Sequence, residues 1–188
     1  MEETRTPKQI IIIGTNGTGK TTALKKLVAK ELQKKDSHVL IVVPDDMEWN
    51  MIPFVHPKFP HRIESYVGAR KIIYFPGLLE IISERFRDGM LIFDDCRAYL
   101  SASVEQDLHD ILIRRRQKMI DVCAVGHGFT EVPPKFFTFC THIVLFRTTD
   151  SINKRKDDLK DFERMKEAQA RVNQKALTDP HYNEVIKF

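Results

Sequence analysis

Gly14-Thr15-Asn16-Gly17-Thr18-Gly19-Lys20-Thr21 is the stretch on which the rest of this chain is organised. It follows the apolar run Ile10-Ile11-Ile12-Ile13 and leads into a helical pattern, so it reads as strand, glycine-rich turn, helix. The spacing is G-x-x-x-x-G-K-[ST], that of a phosphate-binding P-loop. Glycines let the backbone curl until successive N–H groups converge on one point, where a phosphate can sit. The helix that follows adds unpaired N–H groups and the positive end of its dipole. Gly14, Thr15, Asn16, Gly17, Thr18, Gly19, Lys20, Thr21 and Thr22 are therefore the expected phosphate contacts. Lys20 would reach the outer phosphates, and the Thr21 hydroxyl would ligate Mg²⁺.

Outward from this loop, apolar runs alternate with helical periodicity. Strands are expected at Lys8–Ile13, Val39–Val43, Ile72–Phe75, Met90–Phe93, Ile120–Val125 and Ile143–Phe146. The helix after the loop carries Leu24, Leu27, Val28 and Leu32 on one face; the next, begun by Pro76-Gly77, carries Leu78, Leu79, Ile81, Ile82 and Phe86. A third is capped by Ser101 or Ser103, the latter at capping-box spacing from Gln106, and presents Val104, Leu108, Ile111 and Leu112. Met47 to Gly68, with prolines at 53, 57 and 60, is a long connection. This alternation implies a mainly parallel central sheet flanked by helices. Residues 1–150 form the expected core, and 151–188 a charged helical extension of the same domain, with Phe162, Met165, Val172 and Ala176 at helical spacing.

The 188 residues suit one well-buried domain, and 42% are apolar. The longest apolar runs are far too short to cross a bilayer, and Met1-Glu2-Glu3-Thr4-Arg5 has no signal-peptide pattern. A cytosolic protein is the expectation. A net charge of +4 permits contact with a polyanion without arguing for it. Cys96, Cys123 and Cys140 are odd in number, widely spaced and set in or beside apolar runs, so buried reduced thiols are expected and no zinc site is.

A second phosphate-site element is Met90-Leu91-Ile92-Phe93-Asp94, four apolar residues followed by an acid, the Walker B pattern. Strand ends at the carboxyl edge of a parallel sheet face the ligand crevice, which would aim Asp94 at the Mg²⁺ held by Thr21. Asp95 stands where many ATPases place a glutamate that polarises water, and could otherwise cap the next segment. Two strand segments separate the P-loop strand from the Walker B strand in sequence, which favours a RecA-like (ASCE) α/β P-loop NTPase. There is no N-K-x-D base reader of the GTPase kind and no arginine-rich lid of the nucleoside-kinase kind.

Several further segments resemble one family. Pro44-Asp45-Asp46-Met47-Glu48-Trp49 resembles the D-P-x-G-E-[YW] segment of the FtsK–HerA superfamily of DNA-pumping ATPases. Arg114-Arg115-Arg116-Gln117-Lys118, then the strand to Val125 and His127, resembles their basic-residue, strand and polar-sensor segment. Glu131-Val132-Pro133 and Cys140 to Arg147 resemble the approach to their last core strand. The short length and the closing Asp179-Pro180-His181-Tyr182 look like the viral branch, with genome-packaging ATPases and zonula occludens toxin-like proteins as relatives. The chain departs from that pattern in the Pro44/Asp45 order, in Asp95 for Glu and in His127 for Gln.

The resemblance implies Mg²⁺-dependent ATP hydrolysis that drives DNA translocation, with packaging of a phage genome into a capsid as the task. Lys20 would hold phosphate, Asp95 or Glu48 would orient water, and His127 would sense the γ-phosphate. Arg116 would be an arginine finger acting on a neighbouring subunit, with Arg115, Arg97 and Arg147 as rivals. Implied partners are double-stranded phage DNA, further copies of the chain in a ring and capsid vertex proteins, with no membrane; the place is the host cytoplasm or the virion. The clusters Arg114–Lys118 and Lys154-Arg155-Lys156 are the candidate DNA contacts, and Trp49 could stack on the base or pack in the core. The alternatives are a P-loop kinase of a small metabolite and a nucleotide-binding assembly protein of the filamentous-phage type.

Overall fold

In the computed structural model, residues 6–45, 47, 49–100 and 105–188 are described. Seven strands form a single sheet: Gln9–Ile13 (β1), His38–Val43 (β2), Gly68–Ile73 (β3), Met90–Phe93 (β4), Asp121–Gly126 (β5), His142–Phe146 (β6) and Asn183–Lys187 (β7). The helices are Lys20–Glu31 (α1), Leu78–Arg85 (α2), Glu105–Arg114 (α3), Pro134–Thr138 (α4) and Phe162–Lys175 (α5). The strand order is β3-β2-β4-β5-β1-β6-β7, parallel except for β7. The fold is thus an α/β RecA-like P-loop arrangement.

β1, β2, β4 and β5 are buried along their whole length, because helices cover both faces of a parallel sheet. Side chains alternate between the two faces. Ile11, Ile13, Leu40, Val42, Leu91, Phe93, Val122 and Ala124 pack on one side with residues of α2, α3, α4 and α5. Ile10, Ile12, Val39, Ile41, Met90, Ile92 and Cys123 face the other side, where Leu24 and Val28 of α1 and Trp49 meet them. Among the described residues only one helix therefore serves the second face, and it does not reach across β6 and β7: Val185 is exposed there and Val144 half-buried.

The structure departs from the sequence reading at several elements. The third strand runs Gly68–Ile73 rather than Ile72–Phe75. It pairs with β2 from His38↔Gly68 to Val43↔Ile73, and its outer edge meets only the short bridge Phe54↔Lys71. Near an edge, a strand can carry Arg70 and Lys71 without breaking a core, so apolar continuity starts too late to mark it. Leu32 lies beyond the end of α1 and is exposed. Residues 151–188 supply the expected helix, α5, but also β7, whose alternating Asn-Glu-Val-Ile-Lys buries only Ile186. Five-residue α4 is too short for a periodic pattern to reveal. The caps expected at Ser101 and Ser103, and Val104, lie outside the described residues. All three cysteines are buried free thiols, and burial pushes each one's pKa up. Among the described residues no helix is long and apolar enough to cross a membrane.

Candidate nucleotide site

The loops that follow β1, β4, β5 and β6 leave the sheet at one edge, since all four strands are parallel. β5 lies between β1 and β4. Neighbouring strands are about 4.8 Å apart, so the P-loop and the Asp94 strand end stand roughly 9–10 Å from one another. That gap, with His127 projecting from the end of β5 between them, is a cavity of about 570 Å³. Lys20, Thr21, Thr22, Asp94, Asp95 and His127 all line it. The volume lies in the range of small-molecule sites.

The loop is held in its curl by specific bonds. Gly14 N–H donates to Gly126 O at 3.3 Å, and Thr15 N–H to Arg147 O at 2.9 Å. The Thr18 hydroxyl donates to Thr15 O at 2.8 Å. Gly17 and Gly19 have φ of 77° and 101°, in the left-handed region that glycine adopts without strain. α1 then starts with Gly19 as its N-cap, no side chain capping it and no acid in its first turn. Its leading N–H groups are thus left to whatever occupies the cavity, and an anion is what they favour. A cradle of this kind fits the phosphates of a nucleotide.

Lys20 is largely buried, and its ammonium donates to Thr15 O at 2.9 Å and comes within 3.3 Å of His127 Nδ1. An ammonium can only donate, so Nδ1 is the acceptor in this contact. The other ring nitrogen, Nε2, lies 3.6 Å from Asp95 Oδ1. His127 therefore stands between the P-loop lysine and the second acid. Its backbone N–H donates to Glu131 Oε2 at 3.0 Å, while the other oxygen of Glu131 takes a bond from Arg97 at 2.6 Å. Glu131, four residues from His127, fixes the turn that carries His127; nothing in its local sequence marks that role.

Asp94 is buried, and both its oxygens are engaged. Trp49 Nε1 donates to Oδ2 at 2.8 Å, and Asp95 N–H donates to Oδ1 at 3.1 Å. Its carbonyl accepts from the Tyr99 hydroxyl at 2.9 Å. Each carboxylate oxygen keeps lone-pair capacity beyond its one donor, so the group can still face a cation beside Thr21. Asp95 has φ 47° and ψ 53°, a left-handed conformation uncommon outside glycine, asparagine and aspartate. It begins a short helical turn by position, but its side chain makes no cap bond and is half exposed to the cavity. Trp49 packs in the core and holds Asp94, and it does not line this cavity.

α5 braces the same edge from behind. Gln169 Nε2 donates to Thr148 O and Asp150 O, Asn173 Nδ2 also bonds Thr148 O, and the Thr148 hydroxyl donates to His127 O. Burial would raise the Asp150 pKa, but donors from Thr130 and Ser151 outweigh it and hold the carboxyl below its ordinary value.

Among the described residues, several other expected ones do not join this site. Glu48 lies outside the described residues. Arg116 is exposed and precedes β5, at the sheet edge opposite the P-loop of its own chain. Arg115 is buried and donates to Leu112 O at 2.9 Å, so it is a structural residue rather than a finger. Arg97 is tied to Glu131, and Arg147 lends its carbonyl to the P-loop. Both candidate DNA clusters are partly internal. Lys118 donates to Ser83 O and Glu84 O, and Arg155 to the carbonyls of Phe129, Thr130 and Val132, which leaves Arg114, Arg116, Lys154 and Lys156 exposed. Sequence reasoning missed His181, which reaches the cavity from the C-terminal turn.

Solved structures share this fold over nearly their whole length. The DNA-packaging ATPase from Sulfolobus turreted icosahedral virus superposes with a TM-score of 0.69 at 16% identity, over 97% of this chain and 94% of that one. The genome packaging NTPase from Sulfolobus turreted icosahedral virus 2 gives 0.68 with sulfate and 0.65 with ATP-gammaS, each at 12% identity, over 96% of this chain and 96% and 97% of the relative. Comparison with curated proteins finds no match. The AAA domain family matches residues 3–129, a span that holds the P-loop, Asp94, Asp95 and His127. With that match over more than half of its length, the chain belongs to the AAA domain family.

Proposed function

We propose that this chain is a Mg²⁺-dependent ATPase whose turnover moves double-stranded DNA, as part of a ring that packages a viral genome into a capsid. The observation that carries the reading is the site's position within the fold: P-loop, Asp94 and His127 at one edge of a sheet whose near-complete counterparts are packaging NTPases. The nucleotide-bound relative is one of them. Its place of action is the host cytoplasm or the virion.

The residues divide the work as follows. The curled loop from Gly14 to Thr22 and the ammonium of Lys20 bind the phosphates and offset their charge. Thr21 and Asp94 are the residues that would hold Mg²⁺, which when bound offsets charge developing on the phosphate oxygens. Asp95, carried into the cavity by its left-handed backbone, orients the attacking water; Glu48 is the second acid for that task. His127 contacts Lys20 and faces Asp95, so a γ-phosphate arriving between them would exchange these contacts for its own. Arg116, turned away from its own P-loop, serves the site of the next subunit. Fingers of that kind contribute about 10³–10⁵ in rate.

The test measures ATPase rate with and without double-stranded DNA beside a light-scattering mass. DNA stimulation of an oligomer is expected. Turnover dependent on a small-molecule acceptor, or a strict monomer indifferent to DNA, would refute the motor. Shared sites are checked by mixing two inactive variants, Lys20→Ala and Arg116→Ala. Each supplies the half that the other lacks, so mixing restores part of the activity if Arg116 acts in trans. An Arg116→Ala protein with full activity rules it out.

A further inference from the structure

We propose that His181 forms one wall of a nucleobase subsite, placed where the phosphate cavity opens into a second groove between α1 and the β6–β7 edge. The proposal rests on the reading of the P-loop as an ATP site.

The turn that carries His181 arrives beside the P-loop because β7 runs antiparallel to β6, with Asn183 opposite Phe146. Its backbone is fixed: His181 N–H donates to Asp179 Oδ1 at 3.0 Å, His181 O accepts from Asn183 Nδ2 at 3.2 Å, and Lys175 bonds the Tyr182 hydroxyl at 2.8 Å. The imidazole is exposed and, among the described residues, has no hydrogen-bond partner. It nevertheless lies close against the loop. A Cβ added at Gly19 would come within 3.3 Å of His181 Nδ1, with the Phe146 ring 3.6 Å away.

Three residues, Gly19, Thr22 and His181, line both the phosphate cavity and the neighbouring groove. The two spaces are therefore continuous across the first turn of α1. A nucleotide whose outer phosphates face Lys20 and Thr21 places its α-phosphate at that turn. Its remaining part must then leave past Thr22. The side toward Asp94 and His127 is polar and is taken by the reacting end. The opposite side is the groove, where Ala23, Leu27, Phe146 and Val185 give an apolar wall that suits a flat heterocycle, with Lys26 and Lys30 of α1 also lining it. It exists because, among the described residues, α1 is the helix that covers this face of the sheet, and it stops short of β6 and β7. His181 stands at its mouth with a free aromatic face.

The experiment titrates ATP and inorganic tripolyphosphate into the wild-type chain, His181→Ala and His181→Phe by calorimetry. Removing a base-stacking side chain lowers affinity by about 5- to 150-fold. Roughly tenfold weaker ATP binding by His181→Ala is expected, with tripolyphosphate affinity unchanged and with ATP affinity largely kept in His181→Phe, whose ring preserves the stacking face. Equal loss for both ligands, no loss for ATP, or a His181→Phe protein as weak as His181→Ala would overturn the subsite. A wild-type chain that binds neither ligand overturns the ATP reading itself, and this one with it.

Discussion

Replacing Trp49 with Phe tests the link between the core and Asp94, the acid proposed to hold Mg²⁺. The indole N–H donates to Asp94 Oδ2 at 2.8 Å, in a buried setting. Phe keeps an aromatic face for Lys25, whose ammonium lies 5.9 Å from the Trp49 ring, but it cannot donate. Trp49 has φ 61°, and that backbone strain is the same for either residue, so it cancels. A hydrogen bond to a charged group contributes about 1.5–3 kcal/mol. For a domain of this size each kcal/mol moves Tm by about 2–4 °C, so a fall of roughly 3–12 °C is expected. The smaller ring also leaves a packing deficit. A double-mutant cycle with Asp94→Ala, followed by urea unfolding and far-UV circular dichroism, cancels it and should return a coupling of about 1.5–3 kcal/mol. Mg-ATP affinity should fall in Trp49→Phe while binding of metal-free ATP stays unchanged, because Asp94 alone loses its orientation. If the two substitutions add to within about 0.5 kcal/mol, the bond contributes nothing and the positioning argument is wrong.

Two further outcomes follow from the same geometry. Gly14→Ala would bring a Cβ to 2.5 Å from Phe146 Cβ and 2.8 Å from the Thr18 hydroxyl, which holds the loop's curl. A loss of about 1–3 kcal/mol with weakened ATP binding is expected, and unchanged melting and affinity would refute the contact. His38, buried between Tyr66 and Phe86, has its pKa lowered chiefly by burial, against the raising influence of the Arg87 backbone and Asp88. The unfolded chain then binds the proton more readily. The stability it contributes is fully present above the ordinary value of about 6.5 and is lost as pH falls from there through the depressed folded value. His142, lowered by partial burial and by Lys8 and Lys187, acts in the same direction. Unfolding free energy measured against pH should show a shallower acid slope in His38→Leu than in the wild type, and identical slopes would rule the histidine out.

Much of the site could be read from consecutive residues. The P-loop requires left-handed backbone at Gly17 and Gly19, and the sequence spells those positions out. The apolar run ending at Asp94 marked a strand whose bounds are those observed, Met90–Phe93. Edge elements were less legible. β7 carries charged residues because one face of it meets solvent, and β3 carries a half-buried Arg70 and a buried Lys71 next to the sheet edge, so hydrophobicity gives no clear signal in either. Arg115 looked like its exposed neighbours Arg114 and Arg116 until the turn after α3 folded it inward.

The sequence by itself determined that a strand, a glycine turn and a helix build a phosphate cradle, because loop curvature, helix start and strand period are local properties of neighbouring residues. Tertiary structure alone decided what meets that cradle. His127 reaches Lys20 across 107 positions, and Trp49 reaches Asp94 across 45. His181 arrives from the far end of the chain through the antiparallel pairing of β7. Those meetings depend on strand order, which the packing of the chain sets: the insertion of β5 between β1 and β4 opens the cavity, and α1, stopping short of β6 and β7, leaves the groove beside it.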